Sequence, residues 1–155
     1  MPSLDLDRVK QLTEYTLLEQ QASILYQQYW NSLDGPKVLK DLMDNQQLWS
    51  SLAMKHQYFE TDKEGFMLGF LIDELWQQAR WNRQKPHADT LYLYATNNQE
   101  ETVSRLVEFG KEWSCDIVTV YDGIKPLEEC NIGWQFSAYN RLHKEDTVIV
   151  EYWWD

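Results

Sequence analysis

The sequence contains little cysteine and little histidine. Two cysteines, Cys115 and Cys130, and three histidines occur among 155 residues. The cysteines are too widely spaced for a Cys-x-x-Cys motif, and no histidine has a second potential ligand at the spacing of known metal sites. We therefore predict no metal site and no cofactor, and we expect both cysteines to be reduced thiols without a chemical role.

Catalytic and nucleotide-binding motifs are missing as well. There is no Gly-x-Ser-x-Gly, no Ser-x-x-Lys and no glycine-rich loop after the first predicted strand. Asp73 and Glu74 interrupt an apolar helical segment, where a buried carboxylate would suit general acid or base catalysis. The simpler interpretation puts both on the wetted edge of a helix. We predict no catalytic residues, which favours a non-enzymatic function.

Long apolar runs are also absent. No stretch approaches the roughly 18 residues of a membrane span, because acidic residues interrupt the nearest candidate, residues 65–76. Residues 1–7 lack the basic and apolar regions of a secretory signal. We expect a cytoplasmic protein with no membrane partner.

Aromatic and apolar residues are plentiful. The chain is 43% hydrophobic and 14% aromatic, which argues against disorder as the main state. A chain of this length buries roughly two thirds of its unfolded surface. We predict one domain over residues 1–155, with a helical part at 1–85 and a β-α-β-β part at 86–155.

The N-terminal half shows helical periodicity. Apolar residues at three- and four-residue steps predict one helix, or two joined by a kink, over residues 5–33. Gly35 and Pro36 suit the end of one helix and the start of the next, since glycine tolerates left-handed geometry and proline fits a first helical position. The second helix is expected to reach about Lys55.

A third helix is predicted from a capping-box sequence. Glu64 follows Thr61 by three residues, and an apolar run comes after Glu64. The apolar residues behind this signal surround the helix axis, which is typical of a central helix. Pro86 is expected to end it.

Tryptophan occurs eight times. Trp49, Trp76 and Trp113 fall on predicted helical stripes, so we expect them in the core. Trp153 and Trp154 must point to opposite sides of any strand, and one of them is expected to be exposed. An exposed tryptophan beside acidic residues marks a protein interface more often than a sugar site.

After residue 86 the spacing of the apolar residues changes from the helical period to that of strands. Residues 90–96 and 115–121 read as strands joined by a helix, an arrangement that predicts two parallel strands with a crossover. Residues 134–141 and 147–154 read as a hairpin. The predicted fold class is α+β, with a helical N-terminal half packed on a small mixed four-stranded sheet.

Acidic residues are concentrated in the C-terminal half. Residues 86–155 carry thirteen Asp and Glu against five Lys and Arg, within a total net charge of -11. A surface of this sign repels nucleic acid and attracts basic proteins. The alternative without a binding role is a solvated surface that only keeps the protein soluble.

These observations favour a protein–protein interaction factor, such as an acidic inhibitor, immunity or adaptor protein that docks on a basic protein partner, with no nucleic acid bound. The predicted partner-binding residues are acids without nearby bases and aromatics not assigned to the core: Asp122, Glu128, Glu129, Trp134, Glu145, Asp146 and Trp153.

Two other function classes stay open. A small enzyme or ligand-binding domain would place its site at the strand ends near Thr96 and Asp122, where ligands gather in strand-helix-strand units. A deep pocket there, with His87 or a buried carboxylate, would favour that class. A homo-oligomeric structural protein would self-associate through the aromatic hairpin, and a large symmetric apolar interface would favour it.

Overall fold

A computed structural model describes residues 4–55, 75–76, 79, 87–122 and 148–155. Within these residues the helices with described bounds are α1 (Leu6–Leu12), α2 (Leu17–Tyr26), α3 (Gly35–Asp44) and α4 (Glu100–Glu112). The strands are β1 (Tyr29–Trp30), β2 (Leu33–Asp34), β3 (Trp49–Lys55), β4 (Thr90–Ala95), β5 (Ile117–Asp122) and β6 (Val148–Trp153). The fold class is α+β, as the sequence predicts.

The main sheet has the strand order β3-β4-β6-β5, and each neighbouring pair is antiparallel. The sheet is therefore antiparallel rather than mixed. β4 and β5 do run in the same direction, as expected for strands joined by a helix, but β6 lies between them and pairs with both. Periodicity along a chain shows which segments are strands, while their neighbours depend on contacts distant in sequence.

The expected second helix is too long. α3 ends at Asp44, a 3₁₀ turn follows at Gln46–Leu48, and Trp49–Lys55 forms strand β3. β3 pairs with β4 from Trp49 opposite Ala95 to Lys55 opposite Thr90. The closely spaced apolar residues of this segment fit the helical period as well as the strand period. Pairing with β4 stabilises the strand.

The first helical segment is divided in two, and it stops before residue 33. α2 begins with a capping box, in which the Glu19 amide donates to Thr16 Oγ1 at 3.1 Å and the Thr16 amide donates to Glu19 Oε2 at 2.8 Å. This signal is present in the sequence and separates α1 from α2. The similar signal at Thr61 lies outside the described residues.

Trp76 is 49% exposed, so its expected place in the core is wrong.

The core lies mainly between one face of the sheet and the helices. Phe109 of α4 and Trp113, the C-cap residue of that helix, are buried and stack with ring centroids 4.8 Å apart. α2 packs against β3 and α3. Two glutamine side chains join this region to the strands: the Met54 amide donates to Gln21 Oε1 at 2.7 Å, and the Ala88 amide donates to Gln28 Oε1 at 3.1 Å.

Gly35 allows α3 to begin directly against the end of α2. Its amide donates to the Gln28 carbonyl at 2.9 Å. A Cβ at this position would lie 1.9 Å from the Leu25 carbonyl oxygen and 2.7 Å from that of Gln28. The glycine is needed for this close approach and not for the left-handed geometry expected from the sequence. Pro36 stands in the first turn of α3, as predicted.

Gly35→Ala should destabilise the protein by at least about 2 kcal/mol, because backbone atoms of α2 cannot move aside as a flexible side chain can. Pro36→Ala is the matched control, and it should cost about 1 kcal/mol or less. Urea unfolding followed by tryptophan fluorescence measures both. Equal midpoints for Gly35→Ala and the parent would contradict this packing.

Removing residues 150–155 should abolish cooperative folding. The deletion takes away most of a strand paired on both sides, together with Tyr152 and Trp154, which are both 0% exposed. Burial of such side chains contributes several kcal/mol, against a typical domain stability of roughly 5 to 15 kcal/mol. Deletion of Asp155 alone, which is exposed, should leave a cooperative thermal transition. A soluble, cooperatively melting product of the longer deletion would refute the expectation.

Candidate functional site

The sheet register brings the C-terminal ends of β4 and β5 to one edge. Tyr94 and Tyr121 both pair with Ile149, and Asp122 pairs with Val148 at the start of β6. Since neighbouring strands lie about 4.8 Å apart, the two strand ends are separated by about 10 Å. This is the place where the sequence suggested a ligand site near Thr96 and Asp122.

The residues at this edge are polar and exposed. The Gln99 amide donates to Asn97 Oδ1 at 3.0 Å, and α4 starts at the next residue with Glu100 and Glu101 in its first turn. We call this region the strand-end edge; it consists of Thr96, Asn97, Asn98, Gln99, Glu100, Glu101 and Asp122, which are all exposed. Three of these seven residues carry carboxylates, and none carries a positive charge.

The nearest arginine along α4 does not compensate these carboxylates. Arg105 Nη1 lies 2.5 Å from Glu112 Oε1 and 3.3 Å from Glu108 Oε2, and its guanidinium lies 4.3 Å from the Phe109 ring centroid. The hydrogen bond to Glu112 is the main cause that raises the pKa of Arg105. Residues 87–122 and 148–155 contain one more Lys or Arg besides Arg105. It is Lys111, in the last turn of α4. The charge of Arg105 is thus directed towards the C-terminal half of its own helix.

The predicted partner-binding residues are not all brought together. Asp122 is exposed at the strand-end edge. Trp153 pairs with Thr90 and Ile117 at the opposite end of β6, about 17 Å along the strand, and it is half-buried. Asp122 and Trp153 therefore do not share one patch. Trp154 is fully buried. The other predicted partner-binding residues, Glu128, Glu129, Trp134, Glu145 and Asp146, lie outside the described residues.

The sequence interpretation missed a buried carboxylate on the sheet. Glu151 is 4% exposed and lies between its cross-strand partners Tyr92 and Thr119. Tyr121 Oη donates to Glu151 Oε2 at 3.1 Å, which offsets part of the cost of burying the carboxylate. A glutamate inside the otherwise apolar run 148–154 was the available signal. It lies within the sheet and not at the strand-end edge.

His87 and Asp89 are also remote from the strand-end edge, since they precede the N-terminal end of β4. The His87 ring lies 4.8 Å from that of Trp30, and Asp89 Oδ1 accepts a hydrogen bond from Thr90 Oγ1 at 2.7 Å. A pocket near Thr96 with His87 or a buried carboxylate would favour the enzyme alternative, and the described residues place His87 and Asp89 at the other end of β4.

Within the described residues, no group of three or more His, Cys, Asp and Glu side chains is arranged to hold a metal ion. Among the helices of that part of the chain, none has the length and apolar character needed to cross a membrane.

Comparisons of the chain with protein-family models, with curated proteins and with solved structures found no match. Function must therefore be inferred from the residues themselves.

Cys115 is a free thiol beside α4, where a Cβ on Gly110 would lie 3.0 Å from its sulfur. Burial, followed by the negative charge of Asp116, raises the pKa of Cys115 to about 11. Because the thiolate is the reactive form, this environment opposes a nucleophilic role.

Alkylation of Cys115 by iodoacetamide at pH 8 should be about 100-fold slower in the folded protein than in urea, since each pKa unit lowers the thiolate fraction about tenfold. The rate should rise with pH up to about 11. Peptide mass spectrometry resolves Cys115 from Cys130, and the urea-unfolded chain is the control. Equal rates in both states would show that the fold neither shields the thiol from the reagent nor raises its pKa.

Proposed function

We propose that the protein is a non-enzymatic protein–protein interaction factor, an acidic inhibitor, immunity or adaptor protein that docks on a basic partner. The observation that supports it is the strand-end edge, where Glu100, Glu101 and Asp122 are exposed together without a basic residue in that edge. Exposed carboxylates grouped in this way attract cationic surfaces and steer their approach.

The helix dipole does not cancel this charge. The N-terminus of a helix is equivalent to roughly half a positive charge, whereas the strand-end edge contains three carboxylates. A negative potential remains, and it extends about one screening length, roughly 8 to 10 Å at physiological salt. The same potential repels nucleic acid, so we propose no nucleic-acid partner.

Exposure favours binding over catalysis at this edge. General acid or base catalysis near neutral pH needs a carboxyl group whose pKa is raised by desolvation or by a like charge held close to it. Glu100, Glu101 and Asp122 are all exposed to solvent, which suits long-range attraction better than proton transfer in a closed site. The free thiol of Cys115 fits a reducing compartment, so we propose a cytoplasmic location.

The double variant Glu101→Lys with Asp122→Lys should slow association with the partner at least about tenfold at low salt, and should change dissociation less. Glu14→Lys with Asp44→Lys is the matched control, since it makes the same change in net charge at two exposed sites elsewhere. The partner is first captured from lysate by the immobilised parent at about 0.05 M salt and released at about 0.5 M, where screening is strong.

Association kinetics with the purified partner then compare the parent and both variants. The control pair should bind nearly as fast as the parent, and all three proteins should show cooperative melts. Equal association rates for the strand-end variant and the parent at low salt would refute acidic docking at this edge.

A further inference from the structure

We draw no further inference here: the strongest candidate, the apolar groove of about 700 Å³ that described residues of α1, α2 and α3 line, carries no proposal because nothing in the structure shows what covers it.

Discussion

Strand β6 holds the described structure together. It comes from the end of the chain, lies between two strands that precede it by more than 25 residues, and is hydrogen-bonded to both. Tyr152 Oη donates to the Leu106 carbonyl, so β6 is also bound to α4, and just beyond these two elements Trp154 Nε1 donates to the Trp113 carbonyl at 3.2 Å. The neighbouring loops depend on it too: the Asp116 amide donates to the Trp153 carbonyl at 2.8 Å, and the Trp154 amide to that of Asp89 at 3.0 Å.

The same strand creates the strand-end edge. Without β6 between them, β4 and β5 would have no common register, and the first turn of α4 would have no fixed relation to Asp122. α1, by contrast, contributes no buried residue.

The candidate site was only partly predictable. The position of Asp122 follows from the end of a strand that is visible in the sequence, and Glu100 and Glu101 follow from the start of a helix that is equally visible. Their proximity depends on the register with Ile149 and Val148. The separation of Trp153 from Asp122 and the burial of Glu151 depend on β6 being a central strand with neighbours on both sides, which no local pattern reveals.

The sequence by itself determined those elements whose signals are local. Gly35 and Pro36 mark the start of α3, and strands β4, β5 and β6 lie within about two residues of their predicted bounds. The acidic excess of the C-terminal half is likewise a property of composition. Only the tertiary structure decided that Trp49–Lys55 is a strand, that β6 enters between β4 and β5, and that Gly35 is needed for close approach. The physical reason is that helix caps and periodicity act within a few residues, whereas strand pairing and burial are contacts between segments far apart in the chain.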